Sequence, residues 1–170
     1  SIGEQAIRSN GRFIMALSGG STPKTLYQVL ATPEWKARLD WSRIVFLFGD
    51  ERCTPPDHPE SNFKMAHTSL FQPLNVQPDH IYRMKGESED PTAAAQEYEE
   101  TIRGLTQSPP PKVPLIDLVL LGLGHDGHTA SLFPGTAALQ EDNRIVTVGH
   151  APAGVRSSLT LPLGVLNHAA

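Results

Sequence analysis

Two histidines and an aspartate lie close together in the chain, as His125, Asp126 and His128 in the segment Gly-Leu-Gly-His-Asp-Gly-His. A histidine titrates near neutral pH, so it can take a proton from water while a neighbouring carboxylate orients its ring. These residue types also bind metal ions, but this spacing matches no common zinc site. The segment has the form G-x-G-x-x-G of dinucleotide-binding folds, yet Pro134 and Gly135 follow too soon for the helix that such a fold needs. We therefore predict acid–base chemistry by one of the two histidines.

A second polar segment, Ser18-Gly-Gly-Ser-Thr-Pro23, follows an apolar run and precedes a helical pattern. Glycines let backbone N–H groups approach an anion, hydroxyls add donors, and the start of a helix carries a partial positive charge. The segment predicts a phosphate site, with Thr22 as the N-cap of the helix. The alternative is a plain tight turn, and the GK[ST] ending of a nucleotide-binding P-loop is absent. The candidate phosphate-binding residues are Ser18, Gly19, Gly20, Ser21 and Thr22.

A third polar segment, Gly49-Asp50-Glu51-Arg52, follows another apolar run and concentrates charge. Adjacent residues on an extended chain point to opposite sides, so Asp50 and Glu51 are not expected to act as a pair. We expect one of them to face a crevice and the other to anchor the loop. Arg52 can bind a phosphate or a carboxylate through two hydrogen bonds. The alternative is a solvated cluster of charges at the end of a strand.

Strand and helix patterns alternate along the chain, and they must position these segments. Apolar residues at helical spacing predict helices between the strands, and two of these are expected to begin at Ser61 and at Asp90-Pro91. The alternation indicates an α/β fold with an open, mainly parallel sheet flanked by helices. Because the carboxyl ends of parallel strands lie at one edge, the three polar segments are expected to meet there. The strand patterns cover residues 13–17, 43–48, 116–121, 145–148 and 159–161.

The composition is typical of a soluble globular protein: 39% of the 170 residues are hydrophobic and 19% are charged, with a net charge of −4. This acidic balance argues against nucleic-acid binding, and no apolar run approaches the roughly 18 residues of a membrane span. The single cysteine, Cys53, excludes an internal disulfide and predicts a cytoplasmic location. We expect residues 1–170 to form a single α/β domain that is truncated at both ends, since the chain begins at Ser1 and stops at Ala170 within helical patterns. Oligomeric state is not readable from the sequence.

In this order, the three segments resemble the 6-phosphogluconolactonase family over nearly the whole chain. The resemblance implies the Rossmann-like fold shared with sugar-phosphate isomerases. It also implies hydrolysis of 6-phospho-D-glucono-1,5-lactone to 6-phosphogluconate in the oxidative pentose phosphate pathway. The implied partner is a small sugar-phosphate lactone, with no cofactor and no metal ion. The matching stretches are Leu17–Pro23, Asp50–Arg52, Ser61–Asn62, Gly122–Gly135, Arg156 and Leu159–Pro162.

The resemblance also implies roles for individual residues. His128 would act as general base on the water that attacks the lactone carbonyl. Asp50 and Asp126 would orient the histidine, the water or the sugar hydroxyls. The phosphate would bind the Ser18–Thr22 segment with help from Arg52 or Arg156, a choice that the resemblance leaves open. The family's later lysine, which approaches the phosphate, has no counterpart before Ala170, so the phosphate site is expected to be incomplete.

Two other functions remain alternatives at this point. The related glucosamine-6-phosphate deaminases continue after Asp-Gly-His with Ile-Ala-Phe-Asn-Glu-Pro-Gly, and their Glu supports the ring-opening histidine. Aligned on Asp126-Gly127-His128, that position is Phe133 here, which cannot hydrogen-bond an imidazole. This difference favours the lactonase. The other alternative is a noncatalytic protein that binds a phosphosugar.

Overall fold

The computed structural model describes residues 1–152 and 157–170, and it contains two small β-sheets with helices packed around them. The strands are β1 (Phe13–Leu17), β2 (Ile44–Phe48), β3 (Asp50–Arg52), β4 (Leu118–Val119), β5 (Thr147–His150) and β6 (Ser157–Thr160). The helices are α1 (Ile2–Asn10), α2 (Ser21–Leu30), α3 (Pro33–Lys36), α4 (Asn62–Ala66), α5 (Gln72–Leu74), α6 (Pro91–Thr106) and α7 (Leu163–Leu166). A π-helical turn at His67–Phe71 joins α4 to α5. Within the described part of the chain, no helix is both long and apolar enough to cross a membrane.

The first sheet is parallel, with the order β2-β1-β4, so β1 lies in its centre. Phe13 of β1 is opposite Ile44 of β2, and Met15 is opposite Leu118 of β4. Every residue of β1 and β2 is buried, as their continuous apolar sequences predict for strands covered on both faces. The prediction of an open, mainly parallel sheet flanked by helices is confirmed.

Alternate residues of β1 enter two different hydrophobic cores, because side chains of a strand alternate between its faces. Phe13, Met15 and Leu17 pack on one face with Tyr27 of α2 and with the helical segment that contains Phe71. Ile14 and Ala16 pack on the other face. Their partners there include Tyr98 and Ile102 of α6, Leu159 of β6 and Val165 of α7.

The second sheet is antiparallel, with the order β3-β6-β5. The strands predicted at 145–148 and 159–161 exist as β5 and β6, each displaced by about two residues. The antiparallel pairing of β6 with β3 and with β5 was not predicted, since only tertiary contacts bring Asp50 opposite Thr160. The strand predicted at 116–121 is reduced to Leu118–Val119.

Candidate active site

The three polar segments meet at one cleft at the carboxyl edge of the parallel sheet, as the sequence predicts. The cleft has a volume of about 230 Å³. Its lining residues come from the segments that follow β1 and β4, from β3, and from the starts of α2 and α4. They are Ser18, Gly19, Gly20, Ser21, Thr22, Pro23, Asp50, Arg52, Asn62, Gly122, Leu123, Gly124, His128 and Ala130.

The segment after β1 presents the beginning of α2 to the cleft. Helix α2 begins at Ser21 with Gly20 as its N-cap, so the predicted cap at Thr22 is wrong. Gly20 adopts φ 101°, which is easily reached only by glycine, and no side chain caps the first turn. The backbone N–H groups of Ser21 and Thr22 therefore lack the partner that a capping side chain would give. An uncapped helix start at the wall of a cleft is suited to an anion.

Buried Tyr27 fixes the first residue of this segment. Its hydroxyl accepts a hydrogen bond from Ser18 N–H at 2.9 Å and donates one to the Ser18 carbonyl at 2.7 Å. Burial raises the pKa of the Tyr27 hydroxyl far above its ordinary value, so the group stays protonated and can make both bonds. The backbone at the end of β1 is thus held by a side chain from α2.

Gly19 and Asn62 are in close contact, which joins the segment to α4. A Cβ atom built on Gly19 would collide with the side-chain amide of Asn62. Only glycine therefore fits at this position. Asn62 itself is held by its backbone N–H, which donates to Glu51 Oε1 at 2.8 Å.

The two adjacent carboxylates after β2 have different surroundings. Asp50 lines the cleft, whereas Glu51 points away from it and accepts hydrogen bonds from Asn62 N, Phe63 N and Ser61 Oγ, at 2.8–3.0 Å. Ser61 also caps α4 by accepting from Lys64 N–H, as expected. Burial raises the pKa of Glu51, while the N–H groups at the start of α4 counteract that rise. Glu51 therefore anchors α4.

Asp50 is buried at the floor of the cleft, with 6% of its surface exposed. Its Oδ2 accepts from Ser131 Oγ at 2.8 Å and its Oδ1 accepts from Asn62 Nδ2 at 3.2 Å. Burial raises its pKa, and the Ser131 hydrogen bond and the charges of Arg52 and His128 oppose that rise. Asp50 is thus a carboxyl group whose protonation depends on its neighbours, which is a common property of functional sites.

The glycine-rich loop after β4 presents the imidazole of His128. His128 Nδ1 lies 2.5 Å from Asp126 Oδ1, and the same oxygen accepts His128 N–H at 3.1 Å. The bond to His128 lowers the pKa of Asp126, so this carboxylate is ionised and can only accept. Nδ1 consequently carries a proton in the neutral ring, and Nε2 is left free to act as a base.

The backbone of this loop allows the imidazole to reach the cleft. Gly127 has φ 86°, and Gly124 lies so close beneath the ring that a Cβ there would collide with the His128 side chain. Gly124 N–H donates to His128 O at 2.8 Å, which closes the turn. The glycines therefore serve the turn and the packing of His128. No helix follows them, in agreement with the rejection of a dinucleotide motif.

Phe133 lies against the histidine. The centroids of the Phe133 and His128 rings are 4.4 Å apart, with 33° between the ring planes. An aromatic contact of this kind restrains the imidazole and gives it no hydrogen-bond partner. Among the described residues, Asp126 is therefore the only hydrogen-bond partner of the His128 ring.

Of the predicted site residues that the structure describes, all but Asp126 line the cleft. Asp126 lies behind His128 rather than on the cleft wall, and Arg156 lies outside the described residues. Asn62 and Ser131 contact Asp50 and were not predicted as site residues. Asn62 stands directly after the Ser61 cap, and Ser131 is three residues beyond His128. The signal that the sequence offered for both residues was a polar side chain close to a residue already predicted to be important.

The described residues place no three His, Cys, Asp or Glu side chains where they could together hold a metal ion. The Arg52 guanidinium faces the cleft, and no acceptor in residues 1–152 and 157–170 binds it. The cleft thus brings together an uncapped helix start, a guanidinium with no acceptor among the described residues, the His128 imidazole and the Asp50 carboxylate.

Comparisons with known proteins agree with this arrangement. The family model described as glucosamine-6-phosphate isomerases/6-phosphogluconolactonase matches residues 2–170. A 6-phosphogluconolactonase of Nostoc sp. is 42% identical over 159 residues, which cover 94% of this chain and 65% of the relative. One from Synechocystis sp. has the same identity and the same coverage of both chains. The chain therefore spans slightly less than two thirds of the length of these relatives.

The fold agrees with a solved structure as well. The 6-phosphogluconolactonase from Trypanosoma cruzi superposes with a TM-score of 0.87 at 34% identity. The match covers 99% of this chain and 69% of that one.

Proposed function

The chain belongs to the glucosamine-6-phosphate isomerase/6-phosphogluconolactonase family, and from this membership we propose that it hydrolyses 6-phospho-D-glucono-1,5-lactone to 6-phosphogluconate. The observation that carries the proposal is the imidazole of His128, paired with Asp126 and facing a cleft that an uncapped helix start also lines. A lactone with a phosphate at its far end needs this combination. The named relatives from Nostoc and Synechocystis support the same choice.

The phosphate binds at the start of α2. The N–H groups of Ser21 and Thr22 and the dipole of the ten-residue helix favour an anion there. Gly19 and Gly20 leave room for the phosphate oxygens because they carry no side chains. Arg52, which also lines the cleft, supplies a full positive charge. Arg156 remains a second candidate for this role.

The hydrolysis takes place at His128. Nε2 takes a proton from water as the water oxygen adds to the lactone carbonyl carbon. The tetrahedral intermediate collapses by breaking the bond between that carbon and the ring oxygen, and the leaving oxygen receives the proton back from Nε2. Asp126 holds the Nδ1 proton throughout and stabilises the imidazolium that forms between the two steps. No cofactor and no metal ion take part in these steps.

Phe133 distinguishes this proposal from deaminase chemistry. A deaminase needs a carboxylate beside its ring-opening histidine, and here an aromatic ring occupies that place at 4.4 Å from His128. A noncatalytic phosphosugar-binding protein would have no need for the bond of 2.5 Å between His128 and Asp126. We place the reaction in the cytoplasm, which suits the unpaired thiol of Cys53.

The test is the rate of lactone hydrolysis above the spontaneous rate, measured with the intact protein. His128→Ala is expected to lower kcat by about 10²–10⁴-fold, the usual contribution of a general base. The matched control is His125→Ala, which removes an exposed imidazole from the same loop and should leave kcat unchanged. Near-normal activity of His128→Ala would refute the assignment. Release of ammonia from glucosamine 6-phosphate would instead support the deaminase.

A further inference from the structure

Three side chains from different parts of the sequence form a buried cluster at the floor of the cleft: Asp50, Asn62 and Ser131. They are 6%, 4% and 2% exposed. Ser131 Oγ donates to Asp50 Oδ2 at 2.8 Å, and Asn62 Nδ2 donates to Asp50 Oδ1 at 3.2 Å. Each carboxylate oxygen therefore receives one donor from below while Asp50 faces the cleft.

We propose that Ser131 and Asn62 are positioning residues that keep the Asp50 carboxylate ionised and aimed into the cleft, where its charge stabilises the imidazolium of His128. The kinetic part of this proposal rests on the proposed lactone hydrolysis. The structural part does not, since it concerns the charge of Asp50 alone.

The Ser131 hydroxyl is held in place by the backbone around it. Ser131 N–H donates to Thr160 Oγ1 of β6 at 3.2 Å, and a Cβ on Gly149 of β5 would lie 2.6 Å from Ser131 O. The chain enters this position through Ala130, whose φ of 49° is a left-handed conformation that non-glycine residues rarely adopt. This turn separates His128, which faces the cleft, from Ser131, which faces Asp50. Backbone strain of this kind persists where the surroundings require it.

The Asn62 amide is held from two sides. Its backbone N–H donates to Glu51 Oε1 at 2.8 Å, and its side chain packs against Gly19. Its Nδ2 group also donates to the Asp50 carbonyl at 3.0 Å, so the amide binds both the backbone and the side chain of Asp50. Asn62 therefore connects the Asp50 carboxylate to the segment that we assign to phosphate.

Four ionisable groups lie near Asp50, and two of them act on its charge. Burial raises the pKa of Asp50, and Arg52 on the same strand and His128 from the third loop oppose that rise. Tyr27 of α2 is near enough for the charge of Asp50 to raise the pKa of its hydroxyl, and it remains neutral. Glu51 points away from the cleft and binds the start of α4. The strongest opposing effect comes from the Ser131 hydroxyl, because it donates directly to the carboxylate.

The experiment measures the titration of Asp50 by carbon-detected NMR in the intact protein, with Asp50→Asn identifying the signal. Ser131→Ala removes the donor and is expected to raise the pKa of Asp50 by about one pH unit, the effect of losing one hydrogen bond to a charged group. Asn62→Ala should raise it by a smaller amount, because its bond is longer. Ser131→Thr keeps a hydroxyl and should restore the wild-type titration.

The matched control is Ser108→Ala, which removes a buried hydroxyl that donates to Thr106 O at 3.2 Å, far from Asp50 in the chain. This variant should not move the Asp50 titration. An Asp50 pKa that is the same in Ser131→Ala and wild type overturns the proposal. So does an equal change in Ser108→Ala, which would indicate a general loss of structure.

The lactone assay adds the kinetic readout. Ser131→Ala is expected to lower kcat about tenfold at neutral pH, because it weakens the interaction of the Asp50 carboxylate with the His128 imidazolium in the transition state. KM should stay within about twofold, because the phosphate segment is not changed. An unchanged kcat despite a changed titration overturns the link to His128. If the wild-type protein does not hydrolyse the lactone, the proposed function fails, and the titration still decides whether the cluster holds the charge of Asp50.

Discussion

Replacing Tyr27 by phenylalanine removes a hydroxyl that makes hydrogen bonds to both backbone groups of Ser18, at 2.9 and 2.7 Å. The phenylalanine ring fills the same space, so the change leaves no cavity. Tyr27 is 0% exposed and Ser18 is 7% exposed, and water therefore cannot readily replace the lost bonds. Leaving a buried donor or acceptor unpaired costs roughly 1–3 kcal/mol each, so for these two groups we expect a loss of ~2–6 kcal/mol in the free energy of unfolding.

The measurement is urea-induced unfolding of the intact protein, followed by circular dichroism, with thermal unfolding in parallel. For a domain of this size, where 1 kcal/mol shifts Tm by about 2–4 °C, the expected loss corresponds to a decrease in Tm of about 4–24 °C. The matched control is Tyr82→Phe, which removes the hydroxyl of a partly buried tyrosine outside the cleft and should change the free energy of unfolding little.

The same variant should affect the phosphate end of the cleft more than the chemistry. Releasing Ser18 loosens the segment before α2, so KM for the phosphorylated lactone should rise while kcat changes less. A Tyr27→Phe variant with unchanged stability would refute the view that this hydroxyl fixes the end of β1. A fall in kcat at constant KM would refute the link between Tyr27 and phosphate binding.

Three further variants test other parts of the site. Gly19→Ala places a Cβ against the amide of Asn62, so KM should rise. Its control is Gly104→Ala in α6, where the new Cβ meets no atom within 4 Å, and this variant should add about 0.5–1 kcal/mol to the free energy of unfolding. Burial raises the pKa of Asp50 in the folded protein above that of an ordinary carboxyl group. The folded state therefore gains stability from the protonated form below the ordinary carboxyl pKa, and it loses that stability as the pH rises through the raised pKa of Asp50. Asp50→Asn should therefore gain stability relative to wild type as pH rises across that window, and a constant difference in urea unfolding would contradict this. Arg52→Gln should raise KM by about tenfold or more, the value of one charge-assisted hydrogen bond, and an unchanged KM would remove Arg52 from the phosphate site.

Local sequence patterns were sufficient to predict the parts of the fold that depend on nearby residues. The buried runs that became β1 and β2 contain only apolar residues, which is what burial on both faces of a parallel sheet requires. Asp90 caps α6 by accepting from Ala93 N–H at 3.0 Å, a bond between residues close in sequence. The start of α2 was misplaced because the positive φ of Gly20 outweighs the capping preference of Thr22.

The sequence by itself determined that three polar segments follow three apolar strand patterns, and hence that they share one edge of the sheet. It also determined the residue types in them, including a histidine with a carboxylate two residues away. The tertiary structure decided which carboxylate does what. Asp50 and Glu51 are neighbours in sequence, yet one faces the cleft and the other binds α4. The hydroxyl that holds Asp50 comes from Ser131, 81 residues away, and such a contact between distant parts of the chain exists only in the folded protein.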